Sequence, residues 1–408
     1  MPEPEDQETY TQPSLAWRAA SKATIAAIGL ACKGFLKVGT KETETHGLEN
    51  FVKLLDERQD IAKRDRGLLT ISNHTSVLDD PLIWGCLPMR FFFNPNQMRW
   101  SLGSYDICFQ GSALTTFFNL GQVLPTHRRT YSEQGGLFQP TVPQCVRLLS
   151  RGPFTQPTPP HPNWASDIKK GALEPDSSSD HSLSDPFTDP THTYSTTGSD
   201  VFPAPSSYSS RRHSWVHIFP EGKVHQHSDH SMRYFKWGVA RMILEPDVCP
   251  QVVPIFIAGP EEIMHEARPA PRWLPRIGKK VTVTFGEPIS QVVWDAFRER
   301  WRKLRSKEAA KSQSLLPVEQ NGDGALSEEL MYGKDAVSLR LEVVAVVRNE
   351  ILKLRRARGY PEEDPKSGLV ETWRAEGGKV EGDEDGAVDA SRAEDDFGIF
   401  LFFLMDSI

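Results

Sequence analysis

Residues 68–85 read LLTISNHTSVLDDPLIWG, a His, a Ser and two adjacent Asp set between two apolar runs. Leu68, Leu69 and Ile71 predict a short buried strand, and Pro81, Leu82, Ile83 and Trp84 predict the start of a helix. Asn73, His74, Thr75 and Ser76 then fill a strand-to-helix turn. On one ideal helix the five-residue step from His74 to Asp79 is about 140° of rotation, so the two would not share a face. They meet only if His74 hangs from the strand end while Asp79 sits in the first helical turn. Such turns are common locations for catalysis.

Working outward, a second polar turn, FPEGK at 219–223, follows the apolar stretch WVHI at 215–218 in the same manner. Two polar turns at the ends of parallel strands converge on one edge of a sheet, where open α/β sheets carry their sites. VVPIFIAG (252–259) and KVTVTFGEPI (280–289) read as further buried strands. Phe235, Val239, Met242 and Ile243 have helical spacing, and a last helix is predicted over 335–359. The expected fold is α/β, a mixed sheet flanked by helices.

The rest of the 408 residues divides by composition. Residues 1–13 are acidic and polar, unlike a secretory signal or an Arg-rich transit peptide. Residues 14–45 hold a candidate amphipathic helix, with Arg18, Lys22, Lys33 and Lys37 in one stripe and Trp17, Ile28 and Phe35 roughly opposite. Its uncharged stretch, Ala23 to Cys32, falls short of the ~20 residues a span needs, so the expectation is a helix lying in a membrane interface. Residues 46–151 and 214–300 form the α/β domain. Residues 152–213, rich in Ser, Thr and Pro, are expected to be a disordered insertion. Residues 301–360 read as a C-terminal linker and helix, and 361–408 as an acidic disordered tail with the apolar end FGIFLFFLMDSI.

The net charge of −7 hides an asymmetry: residues 361–408 carry −10 and the first ten −4, leaving +7 on 11–360. A basic body suits an anionic lipid surface. Nucleic acid is the other anionic option, but no nucleic-acid-binding motif is present. The five cysteines show no CxxC spacing and read as small buried residues. HQHSDH (225–230) lacks an HExxH frame, so no metal is expected there.

The residue types in the two turns dictate the chemistry. His74 takes a proton from a hydroxyl and returns it to a leaving group, while Asp79 holds the imidazole tautomer and stabilises the imidazolium. No G-x-S-x-G elbow exists, so the substrate's own hydroxyl is expected to attack. Glu221 and Gly222 are candidates for binding an acceptor's hydroxyl or glycerol, and Arg128, in GQVLPTHRR, offers a fork for phosphate. Helix-start amides near Ser76 are the candidate oxyanion donors. Asp79 or Asp80, before Pro81, is expected to cap the helix, and Arg233 and Lys236 are expected to be solvated charges.

In order along the chain, NHTSVLDDP, GQVLPTHRR, FPEGK and VVPIF resemble the four motif blocks of the glycerophospholipid acyltransferase family. NHTSVLDDPLIWG, WVHIFPEGKV, RYFKWGVARMI and PRIGKKVTVTFGEPIS are more similar still to one branch of it. The resemblance runs from about Ser14 to Gly359 with 152–213 skipped. It implies the glycerol-3-phosphate acyltransferase-like fold and a mitochondrial O-acyltransferase held on one leaflet of the outer and inner membranes, facing the intermembrane space. It further implies coenzyme-A-independent acyl transfer between phospholipids and lysophospholipids, with phosphatidylcholine, monolysocardiolipin and cardiolipin as membrane partners, and no cofactor or metal. By motif, His74 and Asp79 carry over as the catalytic pair, Arg128, Glu221 and Gly222 as acceptor-binding positions, and Pro254 as a shaping position beside the site. The insertion and the acidic tail depart from the family pattern. The rivals are a coenzyme-A-dependent lysophospholipid acyltransferase, an inert lipid-binding scaffold and a His/Asp metal hydrolase.

Overall fold

The computed structural model describes residues 10–129, 131–152, 192–269, 271–314 and 326–375. Expectations for 1–9, for 153–191 of the insertion and for the tail beyond 375 lie outside those residues.

The strands are β1 (Thr40–His46), β2 (Leu68–Ser72), β3 (Ser101–Ser104), β4 (Val123–Thr126), β5 (Thr193–Tyr194), β6 (Phe202–Pro203), β7 (Trp215–Ile218), β8 (Gln251–Ala258) and β9 (Lys279–Phe285). The helices are α1 (Leu15–Val38), α2 (Leu48–Glu57), α3 (Asp79–Gly85), α4 (Tyr105–Cys108), α5 (Gly111–Leu120), α6 (Thr141–Leu148), α7 (Gly238–Leu244), α8 (Pro260–Ile263), α9 (Gln291–Ser314), α10 (Glu328–Tyr332), α11 (Lys334–Ala357) and α12 (Val370–Ala375).

The main sheet has the order β1-β9-β8-β2-β7, parallel except between β8 and β9, so it is mixed as expected. A bridge between Trp100 and Val216 continues it toward the parallel pair β3–β4. β8 is apolar along almost its whole length because both of its faces are covered. Val252, Phe256 and Ala258 face the core shared with α7, α9 and α11, whereas Val253, Ile255 and Ile257 face the core shared with α1, α2 and α3. Pro254 sits mid-strand, opposite Ile71 of β2, and its carbonyl accepts the Gly286 N–H on the other side. Gly286 is there for space: a Cβ would stand 2.8 Å from the Pro254 ring.

Five boundaries differ from expectation. Helix α1 ends at Val38, and 40–45 belong to edge strand β1, whose alternating Thr and Glu suit a charged sheet edge. Residues 192–213 are folded: Tyr194, Phe202 and Ala204 pack with Phe109, Phe118 and Val123, and Arg211, Arg212 and His213 are buried. The described parts of 301–360, residues 301–314 and 326–360, contribute to the core, since Trp301 is buried and α11 supplies Leu339, Val343, Val347 and Ile351. Residues 361–375 are also ordered, with Glu363 buried and paired to Arg348. The chain after Phe235 becomes helical only at Gly238.

α1 docks on its own domain through Ser21, Ile25, Gly29, Cys32 and Leu36, with Phe35 half-buried against the same core, while Trp17 and Ile28 are half-buried. Gly29 accepts the Phe92 ring where a Cβ would stand 2.6 Å from it. Lys33 is withdrawn from the basic stripe, donating to the carbonyls of Gly85 (3.3 Å) and Leu87 (2.9 Å). Leu15, Leu30 and Val38 remain exposed. At 24 residues and about 1.5 Å per residue, α1 is long and apolar enough to cross a membrane, so length alone does not decide for an interfacial position.

Candidate active site

β2 ends at Ser72, and α3 begins at Asp79. The turn between them is tied to the sheet by Asn73, whose side chain donates to the Ile257 carbonyl and accepts the Ile257 N–H, both at 2.9 Å. That amide prolongs the β2–β8 ladder by one rung and aims His74 off the strand end. Asp79 lies in the first helical turn, and His74 Nδ1 donates to its Oδ2 at 2.9 Å. The same carboxylate accepts the Thr75 N–H (2.5 Å), the Ser76 N–H (2.8 Å) and the Thr75 hydroxyl (3.0 Å). Burial pushes the Asp79 carboxyl up from its usual range, against four donors that favour the ionised form.

With Nδ1 held, His74 keeps Nε2 for a substrate, and its side chain is 20 % exposed. Phe219 stacks on the imidazole with ring centres 4.2 Å apart. Neither Asp caps α3 as expected. Asp79 reaches back to the turn, and Asp80 takes Trp84 Nε1 (2.7 Å) and the Arg99 guanidinium. The Ser76 amide serves Asp79, so it is not the expected oxyanion donor in this arrangement.

The FPEGK turn meets the His74 turn because β2 and β7 pair parallel, Ile71 opposite Ile218. Both oxygens of Glu221 accept main-chain N–H groups. Its Oε1 accepts the His74 backbone N–H and its Oε2 the Arg233 backbone N–H, each at 2.9 Å. These two bonds clamp the His74 backbone. Burial pushes this carboxyl up to about 7, opposed by those two N–H donors. His225 donates its N–H to the His74 carbonyl (2.8 Å), closing the turn from the other side. Gly222 adopts φ +69°, and a Cβ there would stand 2.7 Å from Lys236 Nζ. Gly222 therefore makes room for Lys236.

Arg128 lies past β4, its fork taken by Asp106 and its guanidinium 4.3 Å over Tyr131. Among the described residues no hydrogen bond or ion pair joins it to the His74 group. Pro254 lies buried in β8, opposite Ile71 of the strand that carries His74.

Several site residues were not anticipated. His217, under Trp84 and Phe219, accepts or donates at Thr70 Oγ1 (2.8 Å) and is pulled down to about 3 by burial, so it stays neutral. Arg233 is buried rather than solvated, and its guanidinium lies 4.0 Å over the ring of Trp373, which also meets His225 edge-on. The other histidines have separate partners, His227 with Asp229 and His230 with Glu261.

Over 376 residues the chain is 34 % identical to the tafazzin of Saccharomyces cerevisiae (strain ATCC 204508 / S288c), covering 90 % of this chain and 86 % of that protein. The chain belongs to the tafazzin family. No family model matches it. It is also 29 % identical over 227 residues to the N-acylphosphatidylethanolamine synthase of Arabidopsis thaliana, 54 % of this chain and 55 % of that protein. Among solved structures, it overlaps the 1-acyl-sn-glycerophosphate (LPA) acyltransferase PlsC from Thermotoga maritima with TM-score 0.34 and 14 % identity, over 74 % of this chain and 82 % of that one. As a member of the tafazzin family the chain is an acyltransferase of phospholipids.

Proposed function

We propose that this chain moves an acyl chain from a phospholipid to a lysophospholipid without coenzyme A, and that the physiological pair includes phosphatidylcholine as donor and monolysocardiolipin as acceptor. The observation that carries the reading is the 2.9 Å contact from His74 Nδ1 to the buried Asp79. It fixes the tautomer that presents Nε2 as a base. The acceptor hydroxyl gives its proton to His74 Nε2 and its oxygen attacks the acyl ester carbonyl. When the tetrahedral intermediate collapses, the departing lysophospholipid oxygen takes that proton back. The imidazolium formed between the two steps lies against the Asp79 carboxylate.

The same reading puts the protein on the mitochondrial outer and inner membranes, on one leaflet facing the intermembrane space. Family membership and the exposed apolar residues of α1 support it. The deciding experiment incubates purified full-length protein with acyl-labelled phosphatidylcholine and monolysocardiolipin, with and without coenzyme A. Label in cardiolipin without coenzyme A is expected. Transfer only from acyl-coenzyme A would overturn the reading in favour of the coenzyme-A-dependent rival. Protease protection on isolated mitochondria tests the leaflet.

A further inference from the structure

Three guanidinium groups are buried at the opposite end of the sheet from His74. Arg58 follows α2, Arg64 lies in the loop leading into β2, and Arg211 just precedes β7. They are 8 %, 7 % and 5 % exposed. Among the described residues none of the three pairs with a carboxylate. Arg58 donates to the carbonyls of Arg66 (2.9 Å) and His213 (2.7 Å). Arg64 donates to those of Arg58 (2.8 Å) and Asn96 (2.7 Å). Arg211 donates to the Asn96 side chain (2.8 Å) and the Pro95 carbonyl (3.3 Å). The nearby acids point elsewhere: Asp60 is half exposed beside Lys63, and Asp65 is mostly exposed beside Arg66.

Buried charge without a counter-charge is costly, and partial carbonyl charges offset only some of it. Burial and the neighbouring guanidinium groups pull Arg58 down to about 9, and burial pulls Arg64 and Arg211 to about 10. All three stay protonated at neutral pH. The charge is therefore present, and Asp65 near Arg58 and Asp60 near Arg64 offset it only in part, from a distance.

A partly open cleft beside Arg58 and Arg64, lined by Leu55, Arg58, Arg64, Asn96, Gln97 and Trp215, holds about 10 Å³ of space. That is room for about one water-sized atom. Gln97 Nε2, on a side chain 9 % exposed, is buried without a hydrogen-bond partner among the described residues. Arg64 Nη1 and Arg58 Nε have no acceptor among the described residues either, though neither is sealed from solvent. Unused donors around one small space call for a single compact acceptor atom bearing negative charge.

We propose that this cleft is an anion site that takes a phosphoryl group, one oxygen entering between Arg58, Arg64 and Gln97 while the rest of the group faces the open side. A guanidinium fork matches a tetrahedral oxyanion in geometry as well as charge. Two sources share this chemistry, free phosphate and the phosphodiester of a lipid headgroup. The second is within reach because α1 packs against Pro95–Gln97 and its Arg18 adds positive potential near Arg211.

The test follows thermal unfolding of the full-length protein in a phosphate-free zwitterionic buffer, with ionic strength held constant by sodium chloride. Inorganic phosphate is expected to raise Tm by roughly 5 °C and to saturate at low millimolar concentration. Generic stabilisation by an excluded salt needs far higher concentrations and does not saturate. Glycerophosphocholine, a soluble diester, separates the sources: protection by it points to a headgroup, and protection by phosphate alone to free phosphate. Gln97→Leu and Arg211→Gln are expected to weaken the response about tenfold or more in half-saturating concentration. Should either variant fail to fold, sulfate replacing phosphate on the wild type serves as the second measurement, with protection expected from sulfate and none from matched chloride. No saturable shift with phosphate or the diester, an equal shift with chloride, or an unchanged response in folded variants would overturn the proposal.

Discussion

Glu221 Oε1 accepts the backbone N–H of His74 at 2.9 Å, so the two polar turns are joined carboxylate to backbone. Its other oxygen holds Arg233. Glu221→Gln keeps the size but turns an amide NH₂ toward one of the two N–H groups, breaking half the clamp. The expected loss lies in kcat, tenfold or more, with KM for the acceptor little changed. A rise in KM alone would assign Glu221 an acceptor-binding role instead.

The same carboxyl makes a prediction for pH. Its folded-state value, about 7, lies above the unfolded 4.5. Between the two, the unfolded chain releases a proton that the folded chain retains, so stability is present below pH 4.5 and is lost as pH rises toward 7. The size is about 3 kcal/mol. Urea unfolding from pH 5 to 8 is expected to fall more steeply for the wild type than for Glu221→Gln.

His74→Ala is expected to lower acyl transfer by about 10²–10⁴ while leaving circular dichroism and vesicle binding unchanged. Asp79→Asn should retain weak activity, since the amide can still meet His74 but carries no charge to face the imidazolium. It should also destabilise the turn, because Asp79 holds the Thr75 and Ser76 amides as well. More than a tenth of the wild-type rate in His74→Ala would rule out His74 as general base.

Deleting 153–191 with a short Gly/Ser join should leave a folded, active protein, given its Ser/Thr/Pro-rich composition. Extending the deletion through 213 should abolish folding. It removes Tyr194, Phe202 and Ala204 from a hydrophobic cluster and takes away the His213 carbonyl that Arg58 holds. Soluble expression and thermal unfolding of the two deletions distinguish them.

Reversing Arg18, Lys22 and Lys37 to Glu should weaken binding to cardiolipin-containing vesicles, each charge contributing about 1 kcal/mol near an anionic surface, with little effect on neutral ones. Lys33→Glu is expected to behave differently. It would set a carboxylate against the carbonyls of Gly85 and Leu87 and lower Tm in solution. Equal behaviour of all four charges in both assays would contradict this division.

What could be read in the sequence was local. LLTIS and WVHI announce strands by residue type, and His74 and Asp79 fall where a strand gives way to a helix. What escaped reading depends on partners distant in the chain. Nothing in the letters FPEGK says that Glu221 accepts main-chain N–H groups, because every residue but proline offers one. Arg233 and Lys33 look like surface charges until the fold brings Trp373 over one and the end of α3 under the other. Composition misplaced the edge of the insertion for a related reason. Averaged over 152–213, three apolar anchors vanish among Ser, Thr and Pro, yet three suffice when Phe109 and Phe118 await them.

The contact between α1 and α3 has a mechanical consequence. Gly85, at the end of α3, leaves so little space that a Cβ would stand 3.1 Å from Cys32 and 3.0 Å from Leu36. Asp79 is at the other end of that same seven-residue helix. A rod seated this closely cannot tilt, sink or roll without carrying its neighbour along. The seat of α1 and the carboxylate behind His74 are thus two ends of one short packed lever, so enlarging Gly85 is expected to disturb Asp79 without touching it.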